Sequence, residues 1–296
     1  MMLRFAIYPN FQKKNAFPCA LAVCRKLHES GGMIYMDESY RTEFSEYHYI
    51  QYGVFASLVH EVDIVIAIGG DGTILRCARQ MIGSDAKLLG INTGHLGFMA
   101  TLETDQLDEL GKIFQGEYNC SERMFLRGIL QGEYQGEHQK LKFIALNDIV
   151  VSAFYGKVFD FSVFADHALI GQYRADGVIC STPTGSTAYA LSAGGFLIEP
   201  EMSCMEVTLI CPHSLFNRPM LLSPDRILTI QHMADCSRQI FLSADGEMPV
   251  AFPAGYSLEI RKSRHSIKLI SMKNSSFFDA VNQKFMQSIK GFPGKE

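Results

Sequence analysis

The chain of 296 residues is short of several things, and each shortage closes off a class of function. No apolar run reaches the ~18 residues that a membrane-spanning helix needs. No basic amphipathic helix of the kind that lies on a lipid surface is present. The eight cysteines, at 19, 24, 77, 120, 180, 204, 211 and 236, include no Cys-x-x-Cys pair. They fall mostly inside apolar stretches and read as reduced core thiols rather than disulfides or a zinc site. Basic residues are in the minority, 27 Lys and Arg against 31 Asp and Glu, and the net charge of −4 argues against a general nucleic-acid binder. There is no Gly-x-x-x-x-Gly-Lys run, no internal repeat and no low-complexity linker. The start, Met1-Met2-Leu3-Arg4-Phe5, enters a strand pattern without the apolar core of a signal peptide, so the expected compartment is the cytoplasm.

What is there is an apolar fraction of 47% with 20% charged residues, enough at this length for one large domain or two, each with its own core. The first third alternates strand and helix patterns. Leu3 to Tyr8 reads as a strand, and Phe17, Leu21, Cys24 and Leu27 as one face of a helix closed by Gly31-Gly32. Met33 to Met36 is a short strand, 37–50 a loop, and Gly53 to Glu61 helical. Val62 to Ile68 and Lys87 to Asn92 are strands, and Asp105 to Phe114 is a helix. This alternation predicts a doubly wound, Rossmann-like parallel sheet with ligands at the carboxyl ends of its strands. From Tyr118 to Met272 the pattern is mostly period-two, as in Phe159 to Val163 and Arg226 to Ile230, with Gly132 and Gly136 marking a hairpin. One helix interrupts it, from Ser186 to Gly194-Gly195. A last helix carries Phe278, Val281, Phe285 and Ile289 as its stripe, with Ser276 as its cap. The expected fold class is α/β, an N-terminal Rossmann-like domain followed by a mostly β domain.

The chemistry concentrates in a few segments. Gly69-Gly70-Asp71-Gly72-Thr73 follows a buried strand and opens a helix (Ile74, Leu75, Ala78, Met81, Ile82). Bare glycines let backbone N–H groups approach an anion, and a helix start adds partial positive charge. A lone carboxylate would repel a phosphate, but it suits a hydroxyl about to attack phosphorus, which points to a phosphotransferase. With no lysine in the loop, phosphate charge would have to be met by N–H groups, metal ions and other basic side chains. Arg76 is one turn further on and is either near phosphates or solvated.

Asn147-Asp148 breaks an apolar strand pattern, which is costly unless both are hydrogen-bonded. It is either a bulge with Asx capping or a grip on two ribose hydroxyls. Thr182-Pro183-Thr184-Gly185-Ser186-Thr187-Ala188-Tyr189 holds more hydroxyls than helix capping requires, which favours nucleotide contact. Asp176-Gly177 and Asp245-Gly246 read as hairpin turns, and His213 and Arg218 as phosphate contacts or surface. Asp176 lies about 15 Å from Thr182, a strand's length at ~3.3 Å per residue.

Taken together, these segments resemble the NAD kinase family nearly end to end. The resemblance adds Gly90 to Phe98, Ser192 to Gly195, Pro212 to Leu215 and Arg218-Pro219 to the motifs above. The Gly-Gly-Asp-Gly piece is shared with lipid kinases and 6-phosphofructokinases. The Asn-Asp pair with the Thr-Pro-Thr-Gly-Ser-Thr-Ala-Tyr loop is what points to NAD kinases, although the family more often has Glu at position 148. The resemblance implies transfer of the γ-phosphate of ATP, or of polyphosphate, to the 2′-hydroxyl of the adenosine ribose of NAD. Asp71 would be the catalytic base, and Gly69, Gly70 and Gly72 would offer backbone contacts with Arg76 nearby. Asn147 and Asp148 would hold the ribose, Thr187 and Ala188 the adenine with Tyr189 and Ser192 beside it, and Asp245 would also contact nucleotide. Arg174 would also bind the cofactor, and Asp176 would serve the nicotinamide end from a neighbouring subunit, which implies a homodimer or homotetramer. Mg²⁺ or another divalent metal would accompany ATP, with no dedicated protein metal ligands, no nucleic acid and no membrane partner. The family's last helix returns to the first domain, giving expected domains of 1–101 with 275–296, and 102–274. The competing readings are a lipid kinase of the diacylglycerol or sphingosine type and a non-catalytic pyridine-nucleotide sensor.

Overall fold

In the computed structural model, apolar runs that end in glycine or asparagine become the strands of a parallel sheet. Described are all residues except 1, 95–96, 135–136, 215–216, 233–238, 273–276 and 291–296. Residue contacts divide the chain into two units, Met1–Glu122 with Ile267–Glu296, and Arg123–Ser266.

The first unit runs β1 (Arg4–Pro9), α1 (Ala16–Glu29), β2 (Met33–Asp37), β3 (Ile50–Gly53), α2 (Phe55–Leu58), β4 (Ile64–Gly69), α3 (Asp71–Gln80) and β5 (Lys87–Asn92). The strands lie parallel in the order β3-β2-β1-β4-β5. All of β4 is buried, as expected for a parallel strand covered on both faces. The order reverses between β1 and β4, the kind of place where doubly wound sheets bind ligands. Gly69 pairs with Asn92, so the loops after β4 and β5 start side by side on one sheet edge. Short β6 (Leu102–Glu103) and α4 (Gly111–Gln115) follow.

The second unit begins inside β7 (Asn119–Tyr134) and continues through β8 (Glu137–Ala145), β9 (Asp148–Ala153), β10 (Phe159–Ala165), β11 (Ala168–Ala175) and β12 (Gly177–Ser181). Then come α5 (Tyr189–Ser192), β13 (Met205–Ile210), β14 (Met220–Leu222), β15 (Leu228–His232), β16 (Ile240–Ala244), β17 (Val250–Ala251) and β18 (Ser257–Ser271). Antiparallel β14-β13-β12-β9-β16-β17 form one sheet, and β11-β10-β15-β18 pair in another. Inward residues of both, among them Val151, Phe161, Val178, Ile230 and Leu258, share one core. β18 ends in the first unit, where Leu269 pairs with Leu88, and α6 (Phe277–Lys290) belongs there too. The fold is therefore the expected α/β unit with a mostly β unit, and the last helix belongs with the first.

Several local readings change. The buried face of α1 is Ala16, Cys19, Ala20, Val23, Cys24 and Leu27, while Phe17 is exposed and packs on Phe11 and Phe44. Small residues let the helix lie close to the sheet, and the aromatic ring turns to the rim. The 37–50 loop contains a 3-10 turn, Glu38–Tyr40, capped by Asp37, whose other oxygen accepts the Phe55 N–H. The helix expected over 53–61 shrinks to Phe55–Leu58: Gly53 ends β3, and residues 59–61 form a turn in which the His60 and Glu61 N–H groups donate three residues back, to Ser57 and Leu58. The helix expected at 105–114 is split between the 3-10 turn Leu107–Leu110 and α4. In α6, Val281 is buried as expected and Phe278 is exposed. Ser276, Gly136 and Cys236, with the side chains of Phe285 and Ile289, lie outside the described residues. The seven described cysteines are free, and burial pushes the thiols of Cys19, Cys24, Cys77 and Cys180 up, which leaves them inert. Among the described residues no helix is long and apolar enough to cross a membrane.

Candidate active site

Asp71 is the first residue of α3, after Gly70 in extended conformation (φ −104°, ψ −175°). Its negative charge at a helix N-terminus is favourable. Its carboxylate also holds the neighbouring loop: Oδ2 accepts the Phe98 N–H at 2.8 Å and Oδ1 the Met99 N–H at 3.2 Å. A side chain on Gly97 would run into this carboxylate, so the glycine there permits the close approach. A Cβ on Gly69 would strike Thr73, whereas Gly70 and Gly72 have open space beyond their Cα atoms. Nothing crowds the side-chain side of those two positions. Asn10, after β1, donates to the Thr73 hydroxyl at 3.0 Å and ties the turn to the strand-order reversal. Thr93, whose N–H donates to the Gly69 carbonyl at 3.2 Å, has a buried hydroxyl without a partner among the described residues. Arg76 is exposed and lies beside the Tyr8 hydroxyl. His95 and Leu96 are outside the described residues. A cavity of about 590 Å³ in this unit, lined by Glu109, Lys112, Tyr118 and Met272 among others, shares no residue with the turn.

In the second unit Asn147 sits at the bend between β8 and β9, and Asp148 is the first residue of β9. The bend is held by Asp245, whose carboxylate accepts the N–H groups of Leu146 (2.8 Å), Asn147 (2.8 Å) and Asp148 (3.2 Å). Asp245 does so from the turn after β16, with a left-handed backbone (φ 51°) followed by Gly246 (φ 69°). Asp is one of the few side chains that tolerates this conformation. Asp148 is 6% exposed, and burial together with the Asp245 charge raises its carboxyl to about 7. Asn147 Oδ1 is buried and has no hydrogen-bond donor among the described residues.

The Thr182–Tyr189 loop packs directly on this bend. Thr182 donates its N–H to the Asn147 carbonyl (2.8 Å) and its hydroxyl to the Leu146 carbonyl (2.5 Å), and accepts the Gly185 N–H (3.0 Å). A side chain on Gly185 would collide with the Asn147 backbone. Ser186 donates to the Pro183 carbonyl and accepts the Ile198 N–H, while Thr187 donates to the Thr184 carbonyl. These hydroxyls, expected to contact nucleotide, chiefly hold the loop itself, because a backbone broken by Pro and Gly leaves buried polar groups to satisfy. Thr187 and Ala188 are half-buried, and Tyr189 and Ser192 exposed, so these remain on the surface of the loop.

Glu206, fully buried on β13, is a further organiser that the sequence reading missed. It accepts the hydroxyls of Ser181 (3.0 Å) and Thr208 (3.1 Å) and the Phe196 N–H (2.6 Å), joining the segments on either side of the loop. An acidic residue inside an apolar strand was the available signal. Asp176 lies half-buried between β11 and β12, and its charge, like that of Asp148, bears on the Tyr189 hydroxyl, which burial raises. The far end of β12 is therefore not electrically remote from the loop at its near end. Arg174 is exposed and pairs with Asp160 at 3.9 Å. His213 and Arg218 are exposed, His213 donating its N–H to the Arg174 carbonyl.

Two family models match this arrangement in chain order, the ATP-NAD kinase N-terminal domain over residues 5–118 and the ATP-NAD kinase C-terminal domain over 146–272. The NAD kinase of Caldanaerobacter subterraneus subsp. tengcongensis is 32% identical over 289 residues, covering 97% of this chain and 100% of that protein. The chain belongs to the NAD kinase family. Another NAD kinase, from Syntrophotalea carbinolica, is 38% identical over 225 residues, 75% of this chain and 78% of that one. The NAD kinase fold is also seen in the crystal structure of yeast NADH kinase complexed with NADH, with a TM-score of 0.83 at 23% identity over 100% of this chain and 89% of that one. These relatives do not favour the lipid-kinase reading.

Proposed function

We propose that the protein phosphorylates NAD, moving the γ-phosphate of ATP, or a phosphate of polyphosphate, to the 2′-hydroxyl of the adenosine ribose and releasing NADP. The observation that carries this reading is the buried Asn147 Oδ1, donor-less among the described residues, next to the buried Asp148 carboxyl. A buried acceptor without a donor costs on the order of 1–3 kcal/mol, and a ribose, with adjacent hydroxyls, offers the missing donor. Thr187 and Ala188 would take the adenine, with Tyr189 and Ser192 beside it, and Asp245 would act mainly by holding the ribose-binding bend.

In this reading Asp71 receives the proton of the attacking hydroxyl. Its bonds to Phe98 and Met99 hold the carboxylate in place and leave lone pairs for the substrate. In a loose phosphoryl-transfer transition state the proton leaves late, so orientation matters more than basicity. The N–H groups about Gly70 and Gly72 suit donor phosphates, with Arg76 one turn away. Among the described residues no cluster of three or more His, Cys, Asp or Glu is placed to hold a metal. A Mg²⁺ ion brought by the triphosphate would rest on the phosphates and one or two carboxylates; bound there, it would offset phosphate charge. We further propose a cytoplasmic homodimer or homotetramer in which Arg174 also binds NAD and Asp176 meets the nicotinamide end across a subunit contact. The functional halves would be 1–101 with 275–296 for the donor and 102–274 for NAD.

Purified protein with ATP, Mg²⁺ and NAD, coupled to an NADP-specific dehydrogenase, tests the reading. NADP formation dependent on metal and donor is the expected result. Phosphorylation of a lipid with no NADP from any donor would overturn it.

A further inference from the structure

The glycine turn has no lysine of its own, but the last helix of the chain brings one to it. Lys284 on α6 places its Nζ 3.8 Å from the centre of the Phe98 ring. The N–H of that same Phe98 donates to Asp71 Oδ2 at 2.8 Å, so a single residue links the ammonium to the carboxylate at the head of α3. Lys284 is half-buried, and among the described residues it has no carboxylate within ion-pair distance. Burial pushes the ammonium down from its ordinary value, and the Asp71 charge opposes that shift from further off. A cation that has given up part of its hydration for a ring face and a distant carboxylate lacks a fixed anion. On either side of Asp71 a Cβ on Gly70 or Gly72 would meet open space, and among the described residues the buried Thr93 hydroxyl, next to Gly69, has no partner. A helix start, an unpaired ammonium and an unpaired hydroxyl share one preference, a phosphate oxygen.

We propose that Lys284 is the cation that contacts the phosphoryl donor of this enzyme, pairing with an oxygen of its phosphoanhydride chain when the donor lies on the Gly69–Thr73 turn. A lysine supplied by the last helix would then do what a lysine within the loop does in Walker-type sites. The proposal rests on the NAD kinase reading given above.

Full-length Lys284→Met and Lys284→Arg chains test it, each titrated separately with ATP and with inorganic polyphosphate. The Met variant should raise the donor KM roughly 10–100-fold, the scale of one charge-assisted hydrogen bond, with NAD KM nearly unchanged and the Arg variant close to the parent. The donor whose KM rises is the one the ammonium meets. The thermal shift produced by Mg²⁺·ATP should shrink in the Met variant, while the shift produced by NAD persists. An unchanged donor KM and ATP-induced shift would overturn the proposal. So would equal loss of both ligands' shifts, which would make Lys284 a support for the 97–99 loop. If the parent chain makes no NADP from either donor, it is the kinase reading itself that fails.

Discussion

Asp245 and Asp148 hold each other by paired backbone contacts. The Asp245 carboxylate accepts the Asp148 N–H at 3.2 Å, and the Asp245 N–H donates to the Asp148 carbonyl at 3.0 Å. Two acidic residues 97 positions apart in sequence thus lock one bend, and the charge of one raises the carboxyl of the other.

Asp245→Ala should lower stability by about 2–4 kcal/mol, because three N–H groups at 146–148 lose their acceptor and water replaces it only in part. NAD affinity should fall with it, since Asn147 and Asp148 lose their placement. Urea unfolding and NAD titration on the same preparation check this. Parental NAD affinity would show that the bend holds its shape without Asp245.

Asp148 should make stability depend on pH. Its folded value near 7 lies above the ordinary carboxyl range, and burial and Asp245 are the causes. The folded state therefore binds the extra proton, so stability is greatest below about pH 4 and declines as pH rises to about 7. The full effect is at most about 4 kcal/mol, from a rise of ~3 pKa units. Asp148→Asn should flatten the decline in denaturant midpoint between pH 4 and 7. An identical slope in the variant would assign the pH dependence elsewhere.

Measured at about pH 8 (about a unit above its folded pKa), where Asp148 is mostly ionised, Asp148→Ala should weaken NAD binding by roughly 1.5–3 kcal/mol, the range for a hydrogen bond to a charged group, and leave the ATP KM little changed. Equal losses for both substrates would mean that the residue supports the fold rather than one ligand.

Asp71→Asn should lower kcat by roughly 10²–10⁴-fold, the range for a positioned proton acceptor, with a smaller change in NAD affinity. An amide also has one acceptor oxygen where Phe98 and Met99 need two, so a stability loss of about 1–2 kcal/mol should accompany it. Near-normal turnover with that stability loss would reduce Asp71 to a clamp on the 97–99 loop.

Asp176 should reveal whether the site is shared between subunits. Mixtures of Asp71→Asn and Asp176→Ala chains should regain activity through hybrid sites if Asp176 serves a neighbour's ligand. Its charge also bears on the Tyr189 hydroxyl of its own chain, which offers the alternative that it serves its own site. An active monomer, or no rescue after verified subunit exchange, would decide for that alternative.

The sequence by itself determined the parts that depend on neighbours along the chain. The buried run into Gly69-Gly70-Asp71-Gly72-Thr73 specifies strand, turn and helix locally, and the βα alternation specifies a parallel sheet with that turn on its carboxyl edge. The family motifs were legible for the same reason, being continuous. What only the tertiary structure decided are the partners of polar groups far apart in sequence. That Asp245 holds residues 146–148, that Glu206 joins Ser181 to Phe196, and that Asp71 holds 98–99 are settled by which loops the sheets bring together. The hydroxyls of Thr182 and Ser186 looked available for ligand because a sequence shows donors but not whether a nearby carbonyl already takes them. Cys24, Leu27 and Val281 are buried as their stripes predict, but Phe17 and Phe278 are not: helical period marks a face, and the surface it packs on decides whether a large ring fits beneath it. Lys284 is the extreme case. Its place beside Phe98 joins positions nearly two hundred residues apart, and only a chain that returns to its first unit can make that contact.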